Sequence, residues 1–98
     1  MPAPLVADAA LATSELVTNA VLHGRPPVEL RLRIEAADVL IEVRDRATYQ
    51  PRKLRPDEED EHGRGLQIVA ALSARWGTRP TEHGKAVWCV LSAAGTPA

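Results

Sequence analysis

The sequence has no phenylalanine, and aromatic residues make up only 3% of its 98 positions. A core without large rings must be assembled from Leu, Val, Ile and Ala. Such a core is thin, so a ligand or a second subunit would add materially to stability. Cysteine is nearly absent as well. Cys89 stands alone, which excludes an internal disulfide and any multi-cysteine metal site. Its neighbours Val87, Trp88, Val90 and Leu91 point to a buried structural thiol rather than a reactive one. Charge of one sign is also lacking: the net charge is −1. Nucleic-acid binding needs a strong positive field, and the arginines here are scattered, without interleaved aromatics. No apolar run approaches the ~18–20 residues of a membrane span, and no signal peptide precedes the first helical segment. The expected location is cytoplasmic.

What is present fits one domain, residues 1–98. A length near ~100 residues is typical of a single self-sufficient core. Pro4 to His23 reads as a helix, with a proline in its first turn and Gly24, Pro26 and Pro27 as stops. Leu5, Ala9, Ala12, Leu16 and Ala20 fall near helical spacing, and Val17 and Val21 widen that face. Val28 to Ile34 alternates apolar and charged residues, as a half-buried strand does. Val39 to Val43 repeats the pattern after a turn near Ala36, Ala37 and Asp38, so the two form a hairpin. Arg46 to His62 is irregular and holds the acidic run Asp57 to Glu61. A loop of that length in a compact domain is usually functional or disordered. Gly65 to Ala74 is helical again, packing through Leu66, Ile68, Val69 and Leu72. Arg75 to Thr81 and Lys85 to Leu91 then make a second hairpin. The implied class is α+β: a two-layer sandwich, its mixed, mostly antiparallel sheet covered by helices on one face.

Three clusters could carry chemistry. Glu15, Asn19 and His23 lie at i, i+4 and i+8 and project from one side of the first helix. A carboxylate beside a carboxamide suits magnesium-dependent phosphoryl transfer, one as proton acceptor and the other as a hard oxygen ligand. The same spacing also describes a solvated helix face, and a helix-end histidine is favoured by the dipole alone. Gly63-Arg64-Gly65-Leu66 sets two glycines before a helix, where backbone N–H groups can approach an anion. It is equally a common turn. Asp45 ends the second strand. A carboxylate there can receive the amino group of a purine, or cap a turn. The acidic run reads as solvated, because five carboxylates would repel phosphates.

The order of these clusters carries more than each does separately. Glu15-Leu16-Val17-Thr18-Asn19-Ala20-Val21-Leu22-His23-Gly24 resembles the N-box of the Bergerat-fold ATPases, the superfamily of gyrase, chaperone ATPases and sensor histidine kinases. Ile41 to Asp45 resembles the strand leading into the family's first glycine box, and Gly63 to Val69 resembles the second. The Trp76-Gly77 pair and Gly84-Lys85-Ala86-Val87-Trp88 complete a pattern most similar to actinobacterial anti-sigma-factor serine kinases, over about Asp8 to Leu91.

The resemblance implies ATP and Mg2+ as ligands. Glu15 would be the general base, Asn19 the magnesium ligand, and Asp45 the acceptor of the exocyclic amine of adenine. Ala47 would pack under the base, and His23 would support the site. Gly63, Arg64, Gly65 and Leu66 would close on the phosphates, with Arg46 to His62 as the ATP lid. The implied partners are a sigma factor and an anti-anti-sigma factor, with neither nucleic acid nor membrane. Three positions depart from the family pattern. Asp45 to Tyr49 has no glycine, and Tyr49 could crowd the pocket. Ala86 replaces a common threonine. The strand and helix that usually precede the N-box helix are missing, which predicts either a homodimer or a truncated domain of reduced stability.

Overall fold

The structure, a computed structural model of the chain, describes residues 3–48 and 65–93. Helix α1 spans Ala3–His23, followed by strands β1 (Glu29–Glu35) and β2 (Asp38–Asp45). Helix α2 covers 65–72 of the described residues, and β3 (Arg75–Pro80) and β4 (Lys85–Ser92) close the order. The Gly24 amide donates to the Ala20 carbonyl at 2.8 Å, ending α1 where the prolines forbid continuation. The strands form one sheet in the order β1-β2-β4-β3, and every pairing is antiparallel. With both helices on one face, the α+β sandwich expected from the sequence is the fold.

Helix α1 lies over β2 and β4, the two central strands. Its Leu5, Ala12, Leu16 and Ala20 are buried against Val39, Ile41 and Val43 of β2 and Val87, Cys89 and Leu91 of β4. Val69 of α2 joins them, with Leu66 and Leu72 packed alongside. The largest fully buried side chains are Leu16, Ile41, Leu91, Val39, Val43, Val69 and Cys89, so the described core is aliphatic, as the missing phenylalanine requires. Each such side chain contributes about 1.5–3 kcal/mol on leaving water.

Cys89 is the buried thiol expected. Burial pushes its pKa up, opposed by the nearby Ser73 hydroxyl. That hydroxyl is itself buried and out of hydrogen-bond geometry.

Three expectations change. Val21, assigned to the apolar face of α1, is 65% exposed. Over Pro4–His23, α1 has a mean hydropathy of 1.3, long and apolar enough by length and composition to cross a membrane. Its buried residues are nonetheless the ones that make the domain core. Strand β1, expected to be half buried, is exposed along its whole length. Leu30, Leu32 and Ile34 pair in register with Val43, Ile41 and Val39 and share their helix-side face. They stay 47–57% exposed because α1 packs over β2 and β4 instead.

Candidate functional site

The candidate site residues lie where the second half of α1 meets the described part of α2, and where the chain leaving α1 meets the end of β2. Glu15, Asn19 and His23 of α1 are all half-buried. A Cβ built on Gly65 would lie 3.0 Å from Oε2 of Glu15. The N-terminal part of the described α2 therefore stands directly against the carboxylate, and residues fifty positions apart in sequence converge. Gly63 and Arg64 lie outside the described residues, as do Tyr49 and all of the expected lid beyond Thr48. Leu66 faces the core from α2.

Asp45 closes β2 on the helix-side face and is 3% exposed, in line with Val39, Ile41 and Val43. The end of α1 passes over it. A Cβ on Gly24 would fall 2.5 Å from Asp45 Cγ, so only glycine lets the chain cross there. Gly84 meets the same residue from β4's turn, where a Cβ would fall 2.1 Å from the Asp45 carbonyl oxygen. Among the described residues three donors hold the carboxylate. Oδ1 accepts from the Ala47 amide at 2.7 Å and from the Arg25 amide at 3.4 Å. Oδ2 accepts from Lys85 Nζ at 2.8 Å. Asp45 thus caps a turn, as one sequence reading allowed, while standing where a purine acceptor was expected. A pocket of about 240 Å3 adjoins it, lined in part by Pro27, Arg44, Arg46, Thr81 and His83.

Lys85, Arg25, Gly24 and Gly84 were not anticipated as the surroundings of Asp45. The available signal was Lys85 itself, which starts the apolar strand in phase with Val87, Cys89 and Leu91. A cation in that phase needs a buried partner. The partner is set by the strand register, which pairs Asp45 with Lys85.

A larger concavity, about 660 Å3, lies on the face opposite the described helices. Arg31, Arg44, Arg79, Glu42, Trp88 and Val90 contribute to it, and none of the expected site residues does. Glu42 accepts from Arg44 Nε and Arg79 Nη2, each at 2.5 Å. Burial alone would raise the Glu42 pKa, but these two bonds outweigh it and hold the carboxyl below its usual 4.5.

An antiparallel sheet covered by helices on one face, with the helix-borne Glu15 against Gly65 of α2, is consistent with a Bergerat-type ATPase domain. The chain belongs to the histidine kinase-like ATPase domain family, whose model matches residues 1–91. No curated protein matches it closely enough to be reported as a relative.

Proposed function

We propose that this ATP-binding domain is a protein serine/threonine kinase of the anti-sigma-factor kind, moving the γ-phosphate of ATP to a partner's serine. The observation that carries the reading is the approach of Glu15 to Gly65. It sets a carboxylate against the N-terminal part of the described α2, the side of a helix on which phosphate oxygens are favoured. In that position Glu15 takes the proton of the attacking serine hydroxyl. Asn19, one turn further on, offers a hard carboxamide oxygen to Mg2+. Among the described residues no cluster of three His, Cys, Asp or Glu could hold a metal alone. The ion's remaining ligands would be phosphate oxygens and water, as is common for Mg2+. When bound, it neutralises the charge of the phosphates; the chain's own groups position the reactants and accept the proton.

In the same reading Asp45 receives the adenine amine and Ala47 packs under the base. His23 supports the end of α1, while Gly63, Arg64, Gly65 and Leu66 approach the phosphates. The partners are a sigma factor and an anti-anti-sigma factor in the cytoplasm. The uncovered row Leu30, Leu32 and Ile34 on an edge strand supports self-association.

A second reading is a non-catalytic interaction module that keeps the fold. It is favoured by the occupied carboxylate of Asp45 and by the absence of glycine from Asp45 to Tyr49.

The test is thermal unfolding with and without Mg-ATP, comparing the native chain with Asn19→Ala. Ligand at ~100 times its dissociation constant stabilises by about 2.7 kcal/mol. Each kcal/mol shifts the midpoint by roughly 4–8 °C in a domain of this size. A magnesium-dependent shift lost in the variant supports the nucleotide site; no shift at millimolar ATP overturns it. Phosphate transfer to a partner serine that survives Glu15→Ala would remove Glu15 as the base.

A further inference from the structure

Lys85 opens β4 in the helix-side phase and stands opposite Asp45 in the ladder. Its Nζ is 2.8 Å from Asp45 Oδ2, with the Asp45 side chain 0% exposed and that of Lys85 17% exposed. With Oδ1 taken by the Ala47 and Arg25 amides, neither carboxylate oxygen faces water. Because the Asp45 side chain is 0% exposed, a ligand amine can reach it only where one of these three donors, the ones among the described residues, makes way.

Two of the three are fixed. The Arg25 and Ala47 amides belong to a backbone crossing tied by the Arg46 amide to the Arg25 carbonyl at 2.8 Å. Withdrawing either one would undo the end of β2. Lys85 carries its donor on a four-carbon stem, and part of that side chain already reaches solvent. It is the one donor that rotamer changes alone can remove.

We propose that Lys85 is a specificity-determining residue that competes with the exocyclic amine of the purine for Asp45. This rests on Asp45 being the acceptor of that amine. With Lys85 in place, the amine gains little, because each hydrogen bond it makes to Asp45 costs one from the ammonium. With Lys85 absent, the buried carboxylate has an unfilled acceptor on Oδ2, and the amine becomes the preferred way to fill it. Lys85 therefore sets how strongly the site distinguishes an amino-purine from a purine without that group.

The probe is a pair of nucleotides, ATP and purine riboside triphosphate, which differ only by the exocyclic amine. Binding of both, with Mg2+, is measured by titration calorimetry to the native chain, Lys85→Met, Lys85→Gln and Asp45→Asn. Effects on the phosphates or on folding act on both nucleotides and cancel in the ratio of their dissociation constants. The native chain should favour ATP by less than roughly tenfold, and Lys85→Met should raise that preference by about tenfold or more, the equivalent of one hydrogen bond to a charged group. Lys85→Gln, which keeps a neutral donor, should fall between them, and Asp45→Asn should abolish the preference.

If Lys85→Met does not fold, the native ratio and Lys85→Gln still decide the matter. A native preference of a hundredfold, or a ratio unchanged or lowered in the Lys85 variants, overturns the competition. A preference for ATP that survives Asp45→Asn removes Asp45 as the acceptor, and the inference falls with it. Binding of neither nucleotide by any of the proteins overturns the nucleotide reading itself.

Discussion

Gly24 and Gly84 both press on Asp45, one on its carboxylate and the other on its carbonyl. Buried between them, the side chain has no room to yield, because two backbone amides and Lys85 hold it in place. A methyl group at Gly24 would meet the Asp45 Cγ at 2.5 Å and the Ala20 carbonyl at 2.6 Å. Overpacking of this kind costs about 1–3 kcal/mol. Gly24→Ala should therefore lower the unfolding midpoint by several degrees in calorimetry, and an unchanged midpoint would mean that the crossing is looser than described. Asp45 also shows what residue-level reading can and cannot supply. Its place at the end of a strand was legible from Ile41-Glu42-Val43-Arg44-Asp45. Its burial and its pairing with Lys85, forty positions away, come from the β2–β4 register.

Among the elements, the β1–β2 hairpin carries a local conflict between sequence and backbone. Glu35 pairs with Asp38, leaving Ala36 and Ala37 as a two-residue loop, and Ala36 has φ 52°. The left-handed conformation costs a residue with a Cβ about 1–2 kcal/mol, and glycine is free of that penalty. Ala36→Gly should stabilise the domain by about 1 kcal/mol, less whatever entropy glycine adds to the unfolded chain. A raised midpoint in chemical denaturation checks it; a lowered one would contradict the turn.

On the face opposite the described helices, Glu42 links β2 to β3 through Arg79. Its pKa lies below 4.5 because the Arg44 and Arg79 hydrogen bonds outweigh burial. The stability this contributes is fully present above the ordinary carboxylate pKa. It is lost as pH falls through the lowered value. Glu42→Gln should flatten the acid limb of midpoint against pH, and a limb of unchanged steepness would show that the pair adds nothing.

At the scale of the whole molecule, helix coverage of the sheet is uneven. α1 and the described part of α2 protect the central strands, while β1 presents Leu30, Leu32 and Ile34 to solvent beside an edge that is unpaired among the described residues. Exposed edges of this kind template association with another strand. The expected outcome is self-association at micromolar concentration, abolished by Leu32→Arg, with sedimentation velocity as the measurement. A native chain that sediments as a monomer would show the exposed row to be tolerated as it stands. The thin aliphatic core makes the same point energetically. It was visible in the composition, since a sequence without phenylalanine has no large ring to bury there.

Local chemistry in the sequence determined the elements and their phases. Proline and glycine ended α1, alternation marked the strands of the first hairpin, and the spacing of Glu15, Asn19 and His23 put them on one side of a helix. These features depend on residues within a few positions of one another, so a linear reading captures them. The tertiary structure alone decided which faces were covered. It left β1 bare although its alternation matched that of a buried strand, because burial depends on where α1 lies and not on the strand's own pattern. It also brought Gly65 to Glu15 and filled the carboxylate of Asp45 with Lys85, contacts set by packing and strand register across long separations in the chain.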